Sequence, residues 1–259
     1  MKTIPAHDQT LWCIAHRGAR DEAPENTRSA FERALHYPID GIELDVQMSS
    51  DGLCVIYHDA TLRRVAGLRQ RVADLTAPQL AALDWGRWFH RDFSGEPLLT
   101  LEATLAAFAP RTRLLIEIKS SPAEQQSGHS AALTRAVIAC LSGMPAGIPE
   151  TNIHILSFDP QVLQLAHRLS PQWHCVLNLP EQNPDALMTS DPSALDGLWA
   201  VDGRIGRLSA PLVGWAKENG LRVFTYTCNG PRQVQKALRL GVDAILTDRP
   251  RWLTDCLKR

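Results

Sequence analysis

Short apolar runs recur along the whole chain, and stretches with helical spacing lie between most of them. Eight runs predict strands, because they are nearly continuous in β-branched and aliphatic residues, as strands covered on both faces should be. They span residues 11–15, 41–47, 113–119, 152–158, 174–179, 197–201, 222–228 and 244–247. Strands that alternate with helices imply right-handed βαβ units and a parallel sheet. We therefore expect an α/β fold that closes into a (β/α)8 TIM barrel. A doubly wound open sheet is the alternative, although no GxGxxG follows the first strand.

Apolar stripes at helical spacing predict three of the connecting helices. One stripe lies in residues 30–35, where Asn26 is a candidate N-cap. A second lies in residues 133–141. A third lies in residues 234–238, and Gly241 follows it at the position of a helix C-cap.

One interval is too long to be an ordinary connection. Residues 59–98 follow a short predicted strand at 54–58, and a usual βα loop has only ~2–6 residues. The interval carries four large aromatic residues close to glycines, namely Trp85, Trp88, Phe89 and Phe93. We therefore expect a packed insertion after the second strand, within a single barrel domain that spans residues 1–259.

Composition and charge narrow the class of partner. The 259 residues include 27 Lys and Arg against 28 Asp and Glu, for a net charge of −1, and 44% are hydrophobic. This near-neutral balance argues against a nucleic-acid partner, and it is compatible with a small charged site. No run approaches the ~18 apolar residues of a membrane span, so no stable membrane insertion is expected. Residues 1–11 lack an apolar run of signal-peptide length, which favours a cytoplasmic location. The oligomeric state is not predicted.

Acidic residues lie within two of the predicted strands. Glu43 and Asp45 share one strand face, and so do Glu117 and Lys119, because residues i and i+2 point the same way. Active sites of barrels lie at the carboxyl ends of the strands. Buried carboxylates repel one another unless positive charge lies between them. Lys119 can neutralise one, and oxygen ligands favour Mg²⁺ or Ca²⁺ for the rest. A salt-bridge network without an ion is the alternative.

Two histidines end predicted strands near these carboxylates. His16 closes the first strand and His58 closes the short one. Imidazole titrates near neutral pH, so a pair of histidines suits general acid and base roles. Arg17 follows His16 and offers a planar fork for a phosphate.

Several ordered segments resemble the glycerophosphodiester phosphodiesterases. The resemblance rests on IAHRGARDEAPENTRSAF and GIELDVQMSSDGLCVIYHDATLRR in the first quarter of the chain. Later segments agree, namely IEIK at 116–119, LSF at 156–158 and GVDAILTDRP at 241–250. The ordered set spans the chain, whereas any one piece would be weak. WGRWFHRDFSGEPL, within the insertion, looks most like the soluble cytosolic bacterial members.

The resemblance implies a (β/α)8 barrel that hydrolyses glycerophosphodiesters, such as glycerophosphocholine or glycerophosphoethanolamine, to sn-glycerol 3-phosphate and an alcohol. It implies one divalent cation, Mg²⁺ or Ca²⁺, and a role in lipid and glycerol metabolism. Carried over by position, the metal ligands are Glu43, Asp45 and Glu117, and the acid–base pair is His16 and His58. The substrate contacts are Arg17 and Lys119 for the phosphate, with Phe158 and Tyr226 as flat walls.

Three other functions stay open on the sequence. One is a lysophospholipase D-type lipid phosphodiesterase of the same family, which would need an apolar entrance. Another is a non-catalytic phosphodiester-binding protein. The third is an unrelated barrel lyase that uses Lys119 as a Schiff-base amine, although nearby carboxylates would raise the pKa of that lysine.

Overall fold

The structure, a computed structural model, describes residues 11–144 and 146–258. The expectation about residues 1–10 therefore lies outside the described residues. Within the described part, eight parallel strands follow one another around a barrel, with helices between them. They are β1 (Trp12–His16), β2 (Gly41–Met48), β4 (Arg113–Ile118), β5 (Ile153–Ser157), β6 (His174–Asn178), β7 (Leu198–Arg204), β8 (Arg222–Tyr226) and β9 (Ala244–Thr247). A ninth, β3 (Cys54–Ile56), runs antiparallel to β2.

The barrel closes through β1, which pairs with both β2 and β9. The register of the ladders sets the acidic residues side by side: His16 pairs with Glu43, and Asp45 pairs with Glu117. Polar residues that are distant in sequence thus meet at one level of the barrel. The predicted (β/α)8 TIM barrel is confirmed.

The end of β7 differs from the prediction. The predicted strand stops at residue 201, but β7 continues to Arg204. An Asp-Gly dipeptide is typical of a turn. Here Asp202 and Gly203 instead continue the ladder with β8, where Asp202 pairs with Phe224. Pairing with a neighbouring strand has outweighed the local turn preference.

The helices that cover the barrel are mostly short. They are α1 (Arg28–Ala34), α2 (Arg63–Ala66), α3 (Ala77–Ala81), α4 (Leu101–Phe108), α5 (Pro122–Gln126), α6 (His129–Ser142), α7 (Pro160–Leu169), α8 (Ala210–Glu218), α9 (Pro231–Leu240) and α10 (Pro250–Leu257). Among the described residues, no helix is long and apolar enough to cross a bilayer. The predicted helices at 133–141 and 234–238 are confirmed, and Gly241 caps α9 with a left-handed φ of 66°.

The cap of α1 is Thr27 and not Asn26, so that prediction was wrong. The Thr27 side chain accepts a hydrogen bond from the backbone N–H of Ala30. Asn26 has a φ of 58°, and its amide donates to the Asp45 carboxylate at 2.8 Å. Asn26, a residue type that is common at N-caps, instead supports the acidic cluster.

The amino-terminal end of the barrel, which we call the lower end, is filled by aromatic rings. Trp12 lies against His154 and Phe224, and His174 stacks on Trp199 at 4.4 Å. His154 is fully buried, and neither of its ring nitrogens has a hydrogen-bond partner. Burial therefore holds the pKa of His154 well below its ordinary value. The lower end is thus a packed plug of rings, and the guanidinium groups of Arg113 and Arg222 lie over Trp12 and Trp199.

The insertion packs around its own small apolar core. The core is built from Val55, Tyr57, Leu62, Val72, Leu75, Leu80 and Trp85. Trp88, Phe89 and Phe93 pack edge to face in a second group. The far end of the insertion is tied to α1, because Glu96 accepts hydrogen bonds from the backbone N–H and the hydroxyl of Ser29. The segment is thus held against the barrel at its edge.

We predict that Gly18→Ala destabilises the protein more than Gly52→Ala. Both glycines have a positive φ, 84° and 93°, so both substitutions strain the backbone. A Cβ at Gly18 would also meet the backbone of Ala30 at 2.7 Å, whereas nothing lies within 4 Å at Gly52. We expect Gly52→Ala to cost about 1 kcal/mol and Gly18→Ala about 2 kcal/mol or more in urea unfolding. Equal losses would contradict the steric argument.

Candidate active site

A cavity of about 380 Å³ opens at the carboxyl ends of the parallel strands. Eight of the nine predicted site residues line this cavity, which we call the barrel cavity. They are His16, Arg17, Glu43, His58, Glu117, Lys119, Phe158 and Tyr226. The ninth, Asp45, is fully buried beneath Arg17 and Lys119, which both contact it. The structure therefore brings together the residues that the sequence singled out.

Glu43, Asp45 and Glu117 form one carboxylate cluster. One oxygen of each lies within 4.8 Å of the others. Lys119 Nζ lies 2.7 Å from Asp45 Oδ1 and also contacts Glu117. Arg17 Nε lies 3.1 Å from Asp45 Oδ2. Two fixed cations therefore face three buried carboxylates.

The pKa values in this cluster diverge. Burial raises the pKa of Glu43 well above its ordinary value, and the charge of Asp45 raises it further. Burial also acts to raise the pKa of Asp45, but Lys119 and Arg17 outweigh it and hold that pKa far below its ordinary value. Three carboxylates thus share two fixed cations, and burial favours the protonated form of Glu43. An all-oxygen, buried and electron-rich donor set of this kind fits Mg²⁺ or Ca²⁺.

A second group of possible ligands, Glu25, His58 and Asp59, is already neutralised. Glu25 contacts three arginines: Arg17 at 3.0 Å, Arg20 at 2.7 Å and Arg64 at 2.8 Å. Asp59 accepts from Arg64 Nε at 2.7 Å. These carboxylates already have cationic partners, so the first cluster is the better candidate metal centre.

Each of the two histidines is held by a carboxylate. His16 Nδ1 lies 2.6 Å from Asp248 Oδ1, and Asn229 donates to the other oxygen of Asp248 at 2.7 Å. His58 Nδ1 lies 2.9 Å from Asp59 Oδ1. A carboxylate at Nδ1 favours the Nδ1–H tautomer and leaves Nε2 to accept or donate a proton. Burial lowers the pKa of His16, although Asp248 acts in the opposite direction.

Asp248 and Asp59, which hold the two histidines, were missed by sequence reasoning. The sequence contained a hint of both aspartates. Asp248 lies in the segment GVDAILTDRP, which resembles the family, and Asp59 directly follows His58. Glu25 also lies in a quoted segment. Its contact with three arginines depends on the insertion, because Arg64 reaches it from α2. Sequence spacing does not predict such a contact.

Two further polar residues, Asn178 and Asp202, line the barrel cavity at the ends of β6 and β7. Asn178 donates to Glu117 Oε2 at 3.2 Å. Burial, and then the charge of Glu117, raise the pKa of Asp202 to about 8. Oδ1 of each residue, and the Tyr226 hydroxyl, are buried without a hydrogen-bond partner. We call Asn178, Asp202 and Tyr226 the polar floor. If the predicted strand had been extended from residue 201 to residue 204, Asp202 would have been placed within it.

The environment of Lys119 disfavours the lyase alternative. Burial acts to lower the pKa of Lys119, but Asp45 and Glu117 outweigh it, and the pKa lies above its ordinary value. A Schiff-base lysine has to lose its proton near neutral pH. Lys119 instead remains a cation suited to bind an anion.

A barrel with an acidic cluster, two carboxylate-held histidines and two buried cations at its catalytic end fits a hydrolase of phosphate esters. A sequence model of the glycerophosphoryl diester phosphodiesterase family matches residues 16–251. The chain belongs to this family, and the predicted enzyme class, glycerophosphodiester phosphodiesterase, is confirmed.

Two relatives and one solved structure align with this chain over nearly its full length. The protein YhdW of Bacillus subtilis is 32% identical over 93% of this chain and 95% of its own length. A glycerophosphodiester phosphodiesterase of Caldanaerobacter subterraneus is 28% identical over 95% of this chain and 97% of its own. A phosphodiesterase structure from Oleispira antarctica, in complex with the product sn-glycerol-3-phosphate, has a TM-score of 0.84 at 24% identity. That alignment covers 96% of this chain and 97% of the other, and it shows the same fold.

We predict that Glu25→Gln destabilises the protein in a pH-dependent way. Burial acts to raise the pKa of Glu25, but Arg17, Arg20 and Arg64 outweigh it and lower the pKa. The stability that the ionised group contributes is thus present above its unfolded pKa and is lost as the pH falls through its folded pKa. We expect a loss of about 1–3 kcal/mol in the free energy of unfolding at pH 7, shrinking towards pH 3.

Denaturant unfolding at several pH values measures this difference. Glu102→Gln, at an exposed position of α4, is the matched control and should stay within about 0.5 kcal/mol of the wild type. A loss in Glu25→Gln that does not change with pH would mean that the ion pairs are not its source.

Proposed function

We propose that this chain hydrolyses glycerophosphodiesters with small polar alcohols, using one divalent cation and the histidine pair, to sn-glycerol 3-phosphate and the free alcohol. Glycerophosphocholine and glycerophosphoethanolamine are the representative substrates. The observation that carries the proposal is the convergence on one cavity of the carboxylate cluster, Arg17, Lys119 and both histidines. A binding protein would not need two imidazoles, each held by its own carboxylate.

The phosphate would bind between Arg17 and Lys119. Both cations line the barrel cavity, and both are anchored on Asp45 from opposite oxygens. Glu43, Asp45 and Glu117 would hold Mg²⁺ or Ca²⁺. When bound, that ion supplies Lewis-acid polarisation of a phosphate oxygen and helps to offset the charge of the diester. The chain's own cations then fix the orientation of the anion.

The glycerol arm would lie between the two flat side chains and above the polar floor. The Phe158 side chain is 46% exposed and offers a face to the glycerol carbons. Tyr226 offers a ring on another side of the same cavity. The unpaired oxygens of Asn178 and Asp202 are suited to hydrogen-bond the glycerol hydroxyls. The floor thus supplies polar contacts that the apolar walls lack.

The two histidines would divide the proton transfers. One removes a proton from the attacking oxygen as its bond to phosphorus forms. The other protonates the alcohol oxygen as its bond to phosphorus breaks, so the proton count balances. The attacking oxygen belongs either to water or to a neighbouring glycerol hydroxyl. The second route passes through a cyclic phosphate, and ³¹P NMR of an early time point would reveal it.

A lysophospholipid substrate is less well supported. It would need an apolar surface for an acyl chain at the entrance. Among the described residues that line the barrel cavity, one large apolar side chain is strongly exposed, and it is Phe158. The exposed Leu169 and Leu238 lie on helices outside the cavity lining. Parallel assays with glycerophosphocholine and lysophosphatidylcholine decide the matter. The cytoplasmic location and the role in lipid and glycerol metabolism stay predictions.

We predict that chelation abolishes activity and that a divalent cation restores it. Treatment with EDTA, followed by titration of Mg²⁺ or Ca²⁺, is read by release of glycerol 3-phosphate in a coupled dehydrogenase assay. The physical reason is that three carboxylates converge on one point with only two fixed cations, a donor set that a divalent cation would complete. Full activity after exhaustive chelation would refute the metal site. No product under any metal condition would favour the binding protein.

We predict that His16→Ala and His58→Ala each lower kcat by about 10²–10⁴-fold, the usual contribution of general acid–base catalysis. His36→Ala, at an exposed position after α1, is the matched control and should retain full activity. Circular dichroism would check that each variant folds. Near-native turnover in both site variants would remove the acid–base assignment.

A further inference from the structure

A second cavity, of about 360 Å³, adjoins the barrel cavity. His58 and Lys119 line both cavities, so the two meet at these side chains. We call the second one the side cavity. One wall comes from the insertion and the other from the segment between β4 and α6. The residues used below are Ala60, Arg71 and Ala73 on the first wall, and Ser121, Glu124 and Leu133 on the second.

The position of the side cavity matches the shape of a diester. A phosphodiester carries two arms on one phosphorus, and the proposed function places that phosphorus beside Lys119. The barrel cavity, with Phe158 and the polar floor, takes the glycerol arm. The other arm can then extend past His58 and Lys119 into the side cavity. This step rests on the proposed function.

Glu124 is the carboxylate among the residues that line the side cavity, and it is held in place. It is half-buried, and its Oε2 accepts a hydrogen bond from the Ser121 hydroxyl at 2.8 Å. In the part of the chain that the structure describes, no basic side chain lies within 4 Å of it. Among these residues, Glu124 thus has no direct ion pair. The hydrogen bond to Asp74 raises the pKa of the Arg71 guanidinium, and the charge of Glu124 acts across the cavity in the same direction.

Arg71, on the opposite wall, forms an ion pair with Asp74. Its guanidinium lies 2.8 Å from Asp74 Oδ1, and Asp74 also accepts from the Arg71 backbone N–H. Its positive charge is thus largely compensated within the insertion. Ala60 and Ala73 present apolar surface on this wall, while Leu133 on the other wall is almost fully buried. The side cavity thus combines one carboxylate with surface that suits methylene or methyl groups, and Lys119 and His129 also line it.

We propose that the side cavity binds the leaving alcohol and that Glu124 selects alcohols that carry an ammonium group, such as ethanolamine or choline, over neutral polyols. An ammonium group beside the carboxylate gains charge attraction that a neutral alcohol does not. The carboxylate lies across the phosphate from the glycerol arm, so it acts on the choice of alcohol and leaves glycerol recognition unchanged. Glu124 is a specificity-determining residue and takes no part in proton transfer.

The test compares kcat/KM for glycerophosphoethanolamine and for glycerophosphoglycerol, whose leaving alcohol is neutral. We expect Glu124→Gln to lower the ratio of the two values by about 5-fold, as for a partly exposed ion pair. Glu124→Lys should lower the ratio further, because it replaces attraction by repulsion. Activity on the neutral diester should fall less than activity on glycerophosphoethanolamine in both variants, and circular dichroism would check that they fold. Glu102→Gln, which lines neither cavity, should leave the ratio unchanged.

The outcomes separate the two proposals. An unchanged ratio in both Glu124 variants, with both diesters hydrolysed, would overturn the side cavity as the alcohol site and leave the proposed function standing. Equal losses on both diesters would also overturn it, because Glu124 would then act on the common part of the substrate. A wild-type protein that hydrolyses neither diester would remove the proposed function, and the alcohol site with it.

Discussion

Three carboxylates share the carboxyl end of one barrel, and compensation of their charge governs how the rest of the site is built. Asp45 is the most deeply buried of them, and it holds Arg17 on one oxygen and Lys119 on the other. Arg17 reaches this position through a left-handed backbone with a φ of 60°, next to a glycine that cannot be enlarged. Unpaired burial of such charges would be prohibitive. The left-handed backbone at Arg17 and the positions of Arg17 and Lys119 thus both serve to compensate the buried charge of Asp45.

The barrel separates packing from chemistry along its axis. Aromatic rings and an uncharged, buried His154 fill the lower end. Charged side chains fill the other end, where each histidine, arginine and lysine that lines the barrel cavity contacts at least one carboxylate. The two ends meet at Leu156, Leu246 and Tyr226, which line the barrel cavity and pack with the apolar cluster that contains Trp12.

The sequence was sufficient for the fold and for the charged centre of the site, because strand periodicity is local. The alternation in β2 and β4 placed Glu43, Asp45, Glu117 and Lys119 on the barrel side without any knowledge of the fold. The partner of His16 was beyond such reasoning, since Asp248 lies 232 residues away and only barrel closure brings it near. Asp202 was missed because an Asp-Gly pair favours a turn locally, whereas strand pairing decided otherwise.

Asn26 shows the same limit in a smaller way: a capping residue type turned out to support a carboxylate. The contacts that the insertion makes could not be predicted from sequence spacing either. Arg64 reaches Glu25 from α2, and Arg71 and Ala73 wall one side of the side cavity. The insertion therefore lines the side cavity while supplying none of the carboxylate cluster. In evolutionary terms it is a module with two obligations: because its Asp59 holds His58 and its Arg64 holds Glu25, an insertion exchanged for another would have to supply both supports anew.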